Sequence, residues 1–446
     1  MTQVGPRALV VTDSDSYVKW GAALAGQLPV GWPVRLLVTH GNALPSDRQL
    51  VEALEHTRFN LDDVEVVDRP TLVRVLREWE PDLVVLAARG LTAETVARLL
   101  PGGSRRPLVV SGLAGISIPV LIPGLRMRRA ADVFVVHSHR ELRDFPPAAE
   151  AAGLTHRFEL GTLPFLASAP RPWIPQPGPR HGAPTPELDR IVFAAQAMVP
   201  ASRTDRLRLL RRLVETASAH PELSVVIKVR ALDGEPQTHV EQFSYQQLLD
   251  DLVQAGEPLP ANLTVESGPM AWHLRRAVGL ATVSSTALLE AVAAGVPCLA
   301  LDDFGVGRQQ INLVFVGSGL LASTDELVRG AFRMAAPEWL EDNYLHDVAD
   351  NTWIGAVEEL LARRASIGLP PLELGRRGPS RIVRAGVFRR LAFVPSTRRR
   401  PGALHRAFLA AGFWEHRRRW AVRPGAPDAQ EGRPASAVAP TTGSRS

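Results

Sequence analysis

The chain has 446 residues, 45% hydrophobic and 22% charged, with one cysteine, Cys298. That balance belongs to a protein of two or three cored domains and excludes a collagen-like, disulfide-stapled or wholly disordered chain, as well as a multi-cysteine metal site. The formal charge is +5, and of 51 basic residues only Lys19 and Lys228 are lysines.

The charge is uneven along the chain. Residues 371–423 hold 14 arginines against Glu373 and Glu415, so the rest of the chain carries −7. A mildly acidic body argues against nucleic-acid binding by the main domains, and the basic segment leaves an anionic membrane surface as its expected partner.

In chain order, Ala8–Thr12, Val34–Val38, Val64–Val67, Leu83–Leu86, Leu108–Val110 and Val133–Val136 are apolar, β-branched runs. Helix-length segments such as Ser16–Leu28, Ser46–Thr57 and Thr71–Trp79 separate them. Continuous apolar strands alternating with helices imply a parallel sheet covered on both faces. Residues 1–165 therefore read as one doubly wound, Rossmann-like domain. Seven prolines between Ser168 and Glu187 mark a semi-extended linker, residues 166–189. The alternation restarts with strand Ile191–Ala195, helix Asp205–Ala219 and strands Val225–Val229, Leu263–Val265, Leu280–Val283 and Cys298–Leu301. This gives a second Rossmann-like domain over 190–365, an Arg-rich segment over 366–423 and an expected disordered tail over 424–446. The longest uncharged run, Pro107–Leu125, is interrupted by Gly112, Gly115, Pro119, Pro123 and Gly124, and reads as a buried strand with loops, not as a membrane span. Met1–Arg7 leads straight into a strand, without a secretory signal pattern, so a cytoplasmic location is expected, with the basic segment at the inner face of the membrane.

Two α/β domains joined by one linker form a cleft between the carboxyl ends of their sheets, where open α/β sheets take ligands. The sharpest local pattern is Ala281–Cys298: a strand, then Ser284, Ser285 and Thr286, then an Ala/Leu/Glu helix ended by Gly295 and Pro297. Hydroxyls at a helix start suit a phosphate. A single capping serine would need one hydroxyl; three point to a ligand. Glu290 on the same helix is placed to accept from a ribose hydroxyl.

This arrangement of strand, Ser-Ser-Thr, helix and Gly-x-Pro resembles the donor half of GT-B glycosyltransferases, particularly bacterial sialyltransferases, polysialyltransferases and capsule Kdo-transferases, and teichoic-acid glycerophosphotransferases. More closely, the chain from Asp13 to His346 resembles an uncharacterised bacterial family to which glycosyl transfer is ascribed without an assigned reaction. That likeness rests on Thr12–Trp20, Val192–Gln196, Val226–Arg230, Thr238–Glu241, Val283–Thr286, Asp303–Gly305 and Asn343-Tyr344. It implies a GT-B-like fold and a nucleotide-sugar co-substrate, CMP- or UDP-linked, with no further cofactor and no metal. In the sialyltransferase-like group the paired hydroxyls hold the donor phosphate, which would fall to Ser284, Ser285 and Thr286. Those enzymes carry His-Pro after an earlier strand; here that strand ends Lys228-Val-Arg230, and its two cations can neutralise the leaving phosphate.

On the other side of the cleft, Asp13-Ser-Asp15-Ser follows the first strand, and either aspartate is placed to act as general base or to cap the next helix. A metal-binding Asp-x-Asp is the weaker reading of the same residues. Gly112 and Gly115 would let an acceptor-side backbone loop approach a ligand. Gln196 and Arg203 flank the loop after the second domain's first strand, and Asp303 follows the strand after the Ser-Ser-Thr helix; Gln196 and Asp303 are read as donor contacts. In the polar loop with Thr238 and Glu241, His239 is the candidate replacement for the missing histidine. His137 and His139 read as structural, and Asn343, Tyr344 and His346 form a polar cluster without an evident mechanism. The expected activity is metal-independent transfer of a sugar to a cell-surface glycan or glycolipid. An epimerase of the UDP-N-acetylglucosamine 2-epimerase type and a non-catalytic partner in glycan assembly are the rivals.

Overall fold

The computed structural model describes residues 5–41, 43–163, 166, 188–230 and 242–375. They fall within one compact unit, Met1–Ser396. The prolines of the linker, the loop with Thr238, His239 and Glu241, and the Arg-rich segment from residue 376 onward lie outside the described residues.

The first half builds a seven-stranded parallel sheet from β1 (Ala8–Thr12), β2 (Val34–Thr39), β3 (Val64–Val67), β4 (Leu83–Ala87), β5 (Leu108–Gly112), β6 (Val133–Val136) and β7 (Phe158–Leu160), in the order β3-β2-β1-β4-β5-β6-β7. Because side chains alternate along a strand, β1 feeds two cores. Ala8 and Val10 pack with Trp20 and Leu24 on one face, while Leu9 and Val11 pack with Leu72 and Val75 on the other. Burial on both faces is why these strands are apolar without alternation.

The second half repeats the plan with β8 (Arg190–Ala194), β9 (Ser224–Lys228), β10 (Leu263–Glu266), β11 (Ala277–Thr282), β12 (Cys298–Leu301) and β13 (Leu321–Ala322), in the order β10-β9-β8-β11-β12-β13. All these pairings are parallel as well. The fold is thus two Rossmann-like α/β domains. β7 and β13, with three and two residues, are edge strands too short to stand out in the sequence.

One element belongs elsewhere than its sequence position suggests. Helix Trp353–Ser366, assigned by the sequence to the second domain, packs against the first sheet. Trp353 is fully buried with Val357 in the first core, and its indole N–H donates to Gln27 (3.1 Å). Arg364 meets the Asp82 carboxylate (2.7 Å). The chain therefore crosses back to the first half after completing the second.

The halves also share an apolar seam. Ile118, Leu163 and Leu166 from the first side pack with Leu288, Ala291 and Tyr344 from the second. At its centre the buried Glu141 carboxylate accepts from the hydroxyls of Ser117 and Tyr344 (2.6 Å each) and from the His137 amide (2.7 Å). Burial raises the Glu141 pKa despite these donors. Among the described residues no helix is long and apolar enough to cross a membrane.

Candidate active site

Each sheet reverses strand order at one point, between β1 and β4 and between β8 and β11, which creates a crevice at the strand ends. Asp13, just after β1, fills the first crevice. Its carboxylate accepts from the Arg89 amide (3.0 Å), Arg89 Nε (2.9 Å) and the Thr92 hydroxyl (2.6 Å), and its side chain is 2% exposed. These contacts make Asp13 an anchor joining β1 to helix Gly90–Ala97, and leave Asp15, 21% exposed, the more open of the two candidates for a base.

Asp15 opens helix Asp15–Gly26 and turns the other way, its Oδ2 lying 3.7 Å from Nε of Arg230 in the second half. Lys19 follows one helical turn later on the same face, and its Nζ meets Glu290 Oε2 at 3.2 Å. Two ion pairs of opposite polarity thus span the cleft. Ser14 stands at the helix start but does not cap it through its side chain.

In the second crevice, the amide and hydroxyl of Ser284 both donate to Gln196 Oε1 (2.9 and 3.0 Å). The Thr282 hydroxyl donates to the Ala194 carbonyl (2.8 Å) and accepts from the Ser285 amide (3.2 Å), tying β11 to β8. This corrects the sequence reading of the motif. Ser284 is buried with both donors spent on Gln196, so neither is open to a ligand, and helix Ala287–Ala293 is only seven residues long. Ser285 and Thr286 are both partly exposed, and the Ser285 hydroxyl accepts from the Ala287 amide (3.2 Å).

Lys228 ends β9 and is partly buried. Burial, with the positive charges of Arg230 and Lys19, pushes its ammonium pKa down to about 8, against the pull of Glu290 and Glu52. Arg230, two residues on, is exposed beside Asp15.

Several other candidates make structural contacts. Gly112 lies inside β5, where a Cβ would fall 2.7 Å from the Trp20 ring and 2.8 Å from the Val135 carbonyl; it is small to admit Trp20, not a ligand. Gly115 differs: its φ of +136° favours glycine, and its absent Cβ would lie 3.1 Å from Thr286 Cγ2, so this loop abuts the Ser285-Thr286 turn directly. Asp303 accepts from the amide and hydroxyl of Thr324 (2.7 Å each), holding the start of helix Thr324–Val328 and leaving the donor-contact role without support. Arg203 pairs with Asp251 on the neighbouring helix (2.7 Å). His137 is buried, accepts from the Trp20 indole (2.8 Å) and bonds the Gly161 carbonyl (2.7 Å), with burial lowering its pKa to about 4. Tyr344 belongs to the Glu141 seam, and His346 bonds Asn351 (3.1 Å).

Sequence reasoning missed Lys19, although the scarcity of lysine that marks Lys228 marks it equally. It also missed Glu141, for which no local pattern exists.

The profile of the family described as "Putative glycosyltransferase (DUF6716)" matches residues 8–360. The chain belongs to this family. It is accordingly an enzyme of the glycosyltransferase class with a GT-B-like fold of two facing Rossmann-like domains. No curated protein matches the chain. Among solved structures it is similar to S. aureus MnaA with UDP (10% identity, 80% of this chain and 96% of that one, TM-score 0.48). It is also similar to the glycosyltransferase SnogD from Streptomyces nogalater (17%, 81% and 100%, 0.41). A third is the Methanocaldococcus jannaschii UDP-GlcNAc 2-epimerase with UDP-GlcNAc and UDP (13%, 86% and 99%, 0.43).

Proposed function

We propose that the enzyme moves a sugar from a nucleotide-activated donor, CMP- or UDP-linked, to a hydroxyl of a cell-surface glycan or glycolipid. Lys228 and Arg230 neutralise the donor phosphate and Ser285 and Thr286 donate hydrogen bonds to it, with Glu290 nearby for the ribose. Asp15 acts as general base. The acceptor oxygen attacks the anomeric carbon and its proton passes to Asp15. The bond from that carbon to the leaving phosphate oxygen breaks, and its electron pair stays on the phosphate, where fixed cations oppose the growing charge.

The observation carrying this reading is the Asp15–Arg230 approach at 3.7 Å. A carboxylate of one half and a cation of the other meet there, which supports a site where acceptor and donor phosphate are handled together.

The test is binding of CMP, CDP, UDP and GDP to the full chain by thermal shift, with and without magnesium. A ligand at 100 times its Kd adds about 2.7 kcal/mol of stability. One nucleotide should stabilise the protein, and Lys228→Gln should weaken that nucleotide at least about tenfold. No stabilisation by any nucleotide, or full binding in Lys228→Gln, overturns the reading. Release of UDP with a free, isomerised sugar would assign the chain to the epimerase reaction instead.

A further inference from the structure

The first half contributes a cation of its own to this cleft. Among the basic side chains, which are otherwise arginines, the two lysines lie close together, Lys19 from helix Asp15–Gly26 of the first half and Lys228 from β9 of the second. An ammonium is a compact point charge on a flexible stem, whereas guanidinium is a planar fork suited to bidentate partners. Lysine at these two positions therefore matches a ligand atom approached end-on in a confined space. The Lys228 ammonium makes no hydrogen bond or salt bridge within the described residues, while Lys19 is held by Glu290 with their side chains 34% and 19% exposed.

Among the described residues, the charges near Lys228 do not balance. Lys19, Lys228, Arg230 and Arg48 stand against Asp15, Glu290 and Glu52, with Glu52 already paired to Arg48. The cations of the second half alone, Lys228 and Arg230, suffice for one phosphoryl group. A third cation reaching in from the other half matches a second phosphoryl group.

We propose that Lys19 is a donor-binding residue that leaves Glu290 to engage the distal phosphate of a nucleoside diphosphate sugar, so that the diphosphate is held from both halves of the enzyme. The inference rests on the donor reading given above and extends it. Glu290 keeps Lys19 oriented across the cleft before the donor arrives. Once bound, the distal phosphate is the leaving group, and Lys19 opposes the charge it gains as its bond to the anomeric carbon breaks.

The experiment is calorimetric titration of the full chain with paired mono- and diphosphates: CMP and CDP, UMP and UDP, GMP and GDP. For the pair that binds the wild type most tightly, Lys19→Gln should weaken the diphosphate at least tenfold and leave the monophosphate within twofold. Lys19→Gln should fold normally, because a partly exposed ion pair contributes little to stability, and the unchanged monophosphate affinity verifies this. Equal losses for both ligands, or no loss for either, overturn the role of Lys19. Lys228→Gln separates the two levels. If it weakens both ligands while Lys19→Gln weakens neither, the donor reading stands and only the inference falls; if it weakens neither, the donor reading itself falls.

Discussion

The two sheets reverse strand order in the same way, yet the crevices this creates carry opposite chemistry. In the first, Arg89 and Thr92 close over Asp13, so the polar groups satisfy one another and the crevice becomes a keystone. In the second, Gln196 and Thr282 tie the floor through Ser284, Ser285 and Ala194, but Lys228 is left at the rim without an ion partner among the described residues. Topology supplies a crevice twice; side-chain pairing decides which one is filled from within and which is open to a ligand. The same contrast separates Asp13 from Asp15, two residues apart in sequence.

The largest expected effect concerns Asp15. If it is the base, Asp15→Asn should lower turnover by about 10²–10⁴-fold, the usual worth of general base catalysis, while nucleotide binding survives. Turnover within tenfold of wild type would return Asp15 to a purely electrostatic partner of Arg230. Asp13→Ala should act through the fold instead. It leaves the Arg89 guanidinium and the Thr92 hydroxyl without their buried acceptor, which should cost about 3 kcal/mol, read as a lower urea midpoint. An unchanged midpoint with abolished turnover would reverse the two roles.

Much of the architecture was legible because strands buried on both faces must be apolar throughout, so Ala8–Thr12, Leu83–Ala87 and Cys298–Leu301 stand out unaided. What could not be read is partnership at long range. Asp13 and Asp15 have the same local sequence environment and are separated only by Arg89 and Arg230, 76 and 215 positions away respectively. The amphipathic pattern of Trp353–Ser366 specifies a buried stripe without specifying which sheet buries it. Asp303 sits at a strand end like any ligand-binding acid, and only the position of Thr324 reveals it as a helix anchor.

The smallest effect is a pH dependence, and its direction distinguishes the open crevice from the closed one. The Lys228 pKa is about 8 in the folded protein, below the ordinary 10.5. Between these values the unfolded chain binds more protons than the folded one, so this group makes the fold more stable as pH rises from 8 towards 10.5. Nucleotide binding should move the opposite way. A phosphate stabilises the ammonium form, so binding takes up a proton above pH 8, and affinity should fall by about tenfold between pH 7 and pH 9 as the free site loses its charge. Lys228→Arg, charged throughout that range, should bind with a nearly level pH profile. His137, whose pKa of about 4 arises from burial in the packed first half, offers the contrast: its ordinary value is 6.5, so it removes stability as pH falls from 6.5 towards 4. That loss should be the same with and without nucleotide, because His137 contacts Trp20 and Gly161 and not the cleft. A wild-type affinity that is flat from pH 7 to 9 would mean either that Lys228 does not meet the phosphate or that its ammonium stays charged in the free site, and the affinity of Lys228→Gln separates the two.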